Sequence, residues 1–326
     1  MLRYIFLLII WMTWERTYSQ SDVFMTQYHQ NMPSVAPGLA GAMDFLDIRT
    51  SYRQQWVGFD GAPKTLMASV NGVKKFRNNE YRHNSTRVSN LSAYEGNDVK
   101  IGIGGYIIKD ELGAFNQNLV MLNTAVHVPV KNRTYLSLGL SSGVNQTEID
   151  FEEIKVFDPG DPYYNAYLEN TPSSTYLRIN IGLAFYSPSY YLSYSILNAG
   201  DALLSGYKVE EGIFIRFSHQ ILGGYRFSLQ ENLELISSSI VRYSNRNPTS
   251  FDLGLKLRFN QLLDFGIVYR NDQTFIGMLG LVVNDMFRFG YSYEYKNLNV
   301  QGFKPNSHEI VLGFQLFNKK GYVPIW

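Results

Sequence analysis

Phe251–Phe259 reads FDLGLKLRF and Phe287–Tyr295 reads FRFGYSYEY; both alternate between large apolar residues and small, polar or charged ones. Successive side chains of a β-strand point to opposite faces, so a period of two places the two classes in two different environments. In the first stretch Phe251, Leu253, Leu255, Leu257 and Phe259 share one face, and Asp252, Gly254, Lys256 and Arg258 share the other. In the second, Phe287, Phe289, Tyr291, Tyr293 and Tyr295 oppose Arg288, Gly290, Ser292 and Glu294. Leu136, Leu138 and Leu140 alternate with Ser137, Gly139 and Ser141, and Ile179, Ile181, Leu183 and Phe185 with Arg178, Asn180, Gly182 and Ala184. A soluble β-sandwich also alternates, burying its apolar face. A membrane barrel turns that face to lipid and encloses the charges. Two features favour the barrel. The apolar faces are aromatic at their ends, as interfacial girdles are, and the segments run to about ten residues, against five or six in globular sheets.

Working outward, fourteen segments read as strands: 43–53, 65–73, 99–109, 117–129, 134–145, 175–187, 189–198, 213–227, 232–243, 249–260, 262–271, 273–283, 286–296 and 307–317. The fold class is therefore all-β, a closed transmembrane antiparallel barrel, because no open sheet edge survives in hydrocarbon. Outer-membrane barrels have tight turns on one side and longer loops on the other. The expected long connections are 54–64, 110–116, 146–174, 199–212 and 297–306; the tight ones are 130–133, 188, 228–231, 261 and 284–285. The segment 74–98, with Lys74, Lys75, Arg77, Arg82 and Arg87, is long and basic on the side of the tight turns and breaks the rule.

The N-terminus supplies the compartment. Arg3 precedes Tyr4–Trp14 (YIFLLIIWMTW), an apolar run too short for a membrane helix of about twenty residues. With Thr17 and Ser19 at the −3 and −1 positions it reads as a signal peptide over 1–19, and the mature chain is expected to start at Gln20. The residues 20–42 then form an N-terminal segment, periplasmic or plug-like, and 43–326 form the barrel. The chain has no Cys, which excludes disulfides, thiolate metal sites and a lipid-anchored Cys. The mature chain carries 27 residues of each charge sign, a neutral balance that argues against nucleic acid as a partner.

Enzyme signals are poor. His29, His83, His127, His219 and His308 show no paired metal-ligand spacing. Gly102, Gly104 and Gly105 lie inside an alternating strand with no helix after it, so they fit a bend or close packing better than a dinucleotide fingerprint. The acidic run Asp150, Glu152, Glu153, Asp158 and Asp161 lacks the regular spacing of a calcium loop. No cofactor or metal is expected. The lumen-facing charges Arg178, Asp252, Lys256, Arg258, Arg288 and Glu294 read either as pairs that fill the interior or as a solute path; their mixed signs favour a mostly filled lumen.

Several segments resemble one family. Phe24–Tyr28 (FMTQY), Asn31 and Pro37–Gly41 (PGLAG) are similar to the FTQY…NPAYAG opening of the PorP/SprF proteins of type IX secretion in Bacteroidetes, with Ala36-Pro37 in place of Asn-Pro. Tyr52–Thr65 (YRQQWVGFDGAPKT) closely resembles the family's YRxQWVGFDGAPKT signature. Ile108–Gly113 with Asn116-Gln117, Leu140–Phe151 (LSSGVNQTEIDF) and Asn306–Ile310 (NSHEI) resemble further family elements in the same order. The resemblance implies an outer-membrane barrel that serves type IX export or gliding. Its partners would be a secreted substrate or adhesin, received through a C-terminal signal domain, together with other secretion-system proteins and outer-membrane lipid. In the signature loop, Trp56, Val57 and Phe59 are large and apolar between strands, while Gly58, Gly61 and Pro63 shape the turn. That loop suits a plug, a partner contact or a structural corner. Arg53, Trp56, Phe59 and Asp60 are the candidate partner-binding residues. The competing function is a channel for hydrophobic or small solutes.

Overall fold

The structure is a computed structural model that describes residues 25–76, 98–131, 133–150, 173–206, 217–244, 248–284, 286–297 and 305–318. Its strands are β1 (Leu46–Gln54), β2 (Lys64–Phe76), β3 (Val99–Leu112), β4 (Phe115–Lys131), β5 (Thr134–Ile149), β6 (Ser173–Tyr186), β7 (Tyr190–Gly206), β8 (Ser218–Gln230), β9 (Leu233–Ser244), β10 (Ser250–Phe259), β11 (Leu263–Arg270), β12 (Thr274–Val283), β13 (Phe287–Lys296) and β14 (Ser307–Leu316). Each pairs antiparallel with its neighbours in sequence, and β1 pairs with β14, which closes a fourteen-stranded barrel. Among the described residues no helix is long and apolar enough to cross a membrane.

The burial pattern is that of a protein turned inside out. On β10, Leu253, Leu255, Leu257 and Phe259 are exposed, while Asp252, Lys256 and Arg258 are buried. On β13, Phe287, Phe289 and Tyr295 are exposed, while Arg288, Ser292 and Glu294 are buried. Leu136, Leu138, Leu140, Ile181, Leu183 and Phe185 complete the same outward belt on β5 and β6. An apolar outer wall requires hydrocarbon around it, because exposing so much apolar surface to water would be strongly unfavourable.

The two ends of the barrel differ. At the end where β1 begins, β4–β5, β6–β7, β8–β9, β10–β11 and β12–β13 are joined by two or three residues. Arg133, Asn260, Gln261 and Asn284 there take positive φ (56°, 51°, 57° and 53°), the backbone that tight hairpins demand. The opposite end carries the connections 55–63, 150–172, 207–217 and 297–306.

Three expected connections are corrected. The long loop at 110–116 shrinks to Gly113 and Ala114, because β3 and β4 stay paired as far as Leu112↔Phe115. The loop expected at 199–212 begins later. Asn198 (φ 57°) marks an irregularity rather than a strand end: the register jumps between Ile179↔Gly200 and Ile181↔Ile196, and the Asn198 N–H donates to Asn180 Oδ1 at 2.8 Å. Residues 200–206 continue β7, so the Asn–Ala–Gly signal is a bulge and not a turn. In the basic segment 74–98, Lys74, Lys75 and Phe76 belong to β2, and 77–97 lie outside the described residues. The leader 1–19 and most of the acidic 150–172 segment also lie outside them.

Candidate functional site

The interior of the barrel is occupied by its own chain. Residues 25–45 run through the lumen before β1 begins, with short 3-10 turns at Tyr28–Ser34 and Pro37–Leu39. Tyr28, Met32, Ala36, Leu39 and Phe45 are buried against in-facing side chains such as Tyr135, Tyr186, Tyr191, Leu222 and Ile240. Glycine makes the fit: a Cβ on Gly139 or Gly102 would fall on backbone atoms of Pro37 and Gly38, or of Ala40, so the segment lies directly on the strand backbones. Hydrogen bonds pin it. Ser137 Oγ donates to Gly38 O at 2.5 Å, His127 Nε2 lies 2.8 Å from Ala40 O, and Asp44 pairs with Lys75 and Lys100 at 2.6 and 2.9 Å.

Its other end is held near the long loops. The Glu309 carboxylate accepts the backbone N–H groups of Thr26 and Gln27 at 2.6 and 3.0 Å. Thr26 Oγ1 donates to Glu294, and Gln27 Nε2 to Ser292 Oγ at 3.4 Å. A chain of ions supports this end. Asp252 receives bidentate guanidiniums from Arg242 (3.1 and 3.2 Å) and Arg270 (3.0 and 3.1 Å). Arg270 reaches Glu294 at 3.7 Å, Glu294 pairs with Arg53 at 2.8 Å, and Arg53 lies 3.9 Å from Glu309. Three arginines thus alternate with three carboxylates around the wall. Bidentate pairs of this kind satisfy charges that would be costly if buried alone.

The structure separates Arg53 from its three companions in the signature loop. Arg53 is buried in the lumen and belongs to the ion chain, so it offers no outside contact. Trp56, Phe59 and Asp60 stay outside: Trp56 is 39% and Phe59 57% exposed, and their rings meet edge-on at 6.5 Å. The loop is ordered by its neighbours. Trp56 (φ 48°), Gly58 (φ 96°) and Gly61 (φ 71°) shape it. Gln55 N donates to Pro63 O at 2.9 Å, Val57 N to Asn306 O at 3.1 Å, and Gly113 N to Gly61 O at 3.0 Å. An aromatic pair is therefore presented on a braced loop at the long-loop end.

Asp252, Lys256, Arg258, Arg288 and Glu294 are buried in the lumen, and Arg178 is half-buried on the in-facing side of β6. Sequence reasoning missed Glu309, Arg49, Arg242, Arg270 and Asp264. Alternation in SHEIVLGFQL places Glu309 with Gly313 and Gln315, which was the available signal. His127, His219 and His308 each share a hydrogen bond with a tyrosine hydroxyl, from Tyr186, Tyr194 and Tyr291 at 2.9, 2.9 and 2.7 Å. No group of three ligating side chains gathers among the described residues. On the outside, a recess of about 690 Å³ interrupts the apolar belt where Gly223, Ser237 and Ser239 replace large residues, between Tyr225, Leu253 and Leu255.

Solved outer-membrane barrels are similar only in broad outline. The outer membrane protein Omp33 of Acinetobacter baumannii is 8% identical, with 85% of this chain and 99% of that one covered and a TM-score of 0.45. The toluene transporter TodX of Pseudomonas putida is 10% identical, with 90% and 94% covered and a TM-score of 0.44. The translocator domain of the autotransporter NalP from Neisseria meningitidis is 10% identical, with 88% and 94% covered and a TM-score of 0.40. No curated protein matches the chain. A family model does, over residues 17–314, which take in the lumenal segment, the signature loop and nearly the whole of β14. The chain is an outer-membrane β-barrel and belongs to the family of type IX secretion system membrane proteins PorP/SprF.

Proposed function

We propose that this barrel binds a secreted adhesin or other type IX substrate at the cell surface, anchoring or escorting it through its C-terminal signal domain, and that it does not conduct solutes. The observation that carries this reading is the filled lumen. The segment 25–45 lies on the strand backbones, and the ion chain closes round its upper end. A barrel so packed offers its rigid ends for recognition rather than its bore for transport. Trp56 and Phe59 fit the contact, because exposed aromatics on an ordered loop lose little entropy when a partner covers them. Binding residues sit disproportionately on loops held by a rigid scaffold.

The test has two arms. Detergent-solubilised barrel should retain a secreted protein that carries a type IX C-terminal signal domain, and W56A/F59A should weaken that retention by at least about tenfold, the range of a two-residue aromatic anchor. Deleting the gene should remove one secreted protein, or a gliding adhesin, from the surface. Swelling of liposomes that contain the intact barrel, together with undiminished surface display in the deletion strain, would favour the channel reading instead.

A further inference from the structure

The lumen has a second charged belt, at the short-turn end, and it does not balance. On the side formed by β8 to β11, β13, β14 and β1, the described in-facing residues there include five cations: Arg49, Arg226, Lys256, Arg258 and Arg288. They meet three carboxylates, Asp47, Glu234 and Asp264. Asp264 serves Arg258 at 2.9 Å and Lys256 at 3.5 Å. Asp47 holds Arg49 at 2.8 Å, and Glu234 lies 3.7 Å from Arg226 and 3.8 Å from Arg258. Arg288 has neither a hydrogen bond nor an ion pair among the described residues, although it is only 9% exposed. The like charges Arg258 and Arg49 act on it most strongly, and Asp264 and Asp47, neither in direct contact with it, offset them only in part.

The donors left over converge. Arg49 and Arg288 both register with Gly313, from opposite sides, on one in-facing row. A Cβ on Gly313 would lie 3.3 Å from Arg288 Cβ and 3.8 Å from Arg49 Cγ, so the missing side chain is what lets the two arginine stems close in from either side. Arg49 Nη2, Arg288 Nε and Gln315 Nε2 are all buried without a hydrogen-bond acceptor, while Arg49 Nη1 donates to Gln30 Oε1. Two carboxylate oxygens, Asp47 Oδ1 and Glu234 Oε2, are also unbonded, but both carboxylates already face arginine. A buried guanidinium with no direct ion pair is costly, and an anion held between Arg288 and Arg49 would supply one.

We propose that the short-turn end of the lumen is an oxyanion-binding site in which Arg288 and Arg49 clamp a phosphate- or carboxylate-type group over Gly313. The group is either a free small anion or the acidic side chain of a peptide entering from that mouth; both present the same pair of oxygens to the guanidiniums. The site is independent of the surface contact proposed above.

Inorganic phosphate and, separately, a capped tetraglutamate peptide are titrated against the purified barrel in a chloride-poor buffer, with the thermal unfolding midpoint as readout. A saturable rise with phosphate identifies a free anion; a rise with the peptide alone identifies an acidic peptide. Arg288→Met should weaken the response by about tenfold or more, the worth of a charge-assisted bond. It should leave the midpoint without ligand unchanged or higher, since it removes an uncompensated buried charge. Arg288→Lys should keep a weakened response. No saturable rise with either probe, an undiminished rise in Arg288→Met, or a lower unliganded midpoint in that variant would overturn the site.

Discussion

Glu309 and Arg53 show how single residues hold the N-terminal segment in place. Glu309 accepts two consecutive backbone N–H groups while fully buried, and Arg53 stands between it and Glu294. Removing one partner of a buried ionic group leaves the others uncompensated. Arg53→Met is expected to destabilise the barrel by about 3 kcal/mol, read from urea unfolding in detergent, and adding Glu309→Gln should restore part of the loss. His29 gives the segment a pH dependence. Burial holds it well below its ordinary pKa, and Lys256 adds to the effect; Arg49 and Arg258 act in the same direction and Asp264 opposes. Because the folded-state value is depressed, the released state binds more protons below about pH 6.5. Seating of the segment is therefore complete above that pH and weakens as pH falls, by up to about 1.4 kcal/mol per unit from this group. Proteolysis of the N-terminal segment should speed up between pH 7.5 and 5, and His29→Asn should flatten that dependence.

At the scale of the element, the lumenal segment depends on strand glycines. Gly139 and Gly102 allow backbone to lie on backbone, and Gly38 repeats the close approach from the segment's side, against Leu183 and Ala184. Gly139→Val would drive a side chain into Pro37, at a cost of about 3 kcal/mol, the upper range for overpacking. The segment should then leave the lumen while the strands, held by their own ladder, stay closed. The expected result is a heat-modifiable barrel with a protease-sensitive N-terminus and measurable conductance in a planar bilayer; an impermeable Gly139→Val barrel would contradict this account of the seal.

The whole molecule has a direction. Apart from the long 77–98 connection, one end carries only tight hairpins, and most of the long connections lie at the other, the asymmetry of outer-membrane barrels with long loops facing outward. The chain has no native Cys, so single cysteines report sidedness cleanly. A membrane-impermeant maleimide should label Asp60→Cys in intact cells, and Gln261→Cys only after the outer membrane is broken. The opposite labelling would invert the molecule and move the Trp56–Phe59 loop to the periplasm.

Alternation, with the length and aromatic ends of its apolar stripes, marked the barrel, most of its strands and the faces that meet lipid, because a period of two is a local property of the chain and hydrocarbon imposes it along each strand. The signature loop was legible for the same reason, as large apolar residues placed where no strand needs them. Tertiary structure alone decided what fills the enclosed space. Nothing local in Thr26–Gln27 announces that their N–H groups meet a carboxylate 282 or 283 residues away. Nor does any local pattern reveal that Asn198 is a bulge held by Asn180, or that Arg288 lies beside Arg49 without a direct ion pair. The bulge is set by the β6–β7 pairing, and the contacts of Glu309 and Arg288 arise when the first strand meets the last, through the register that closes all fourteen strands.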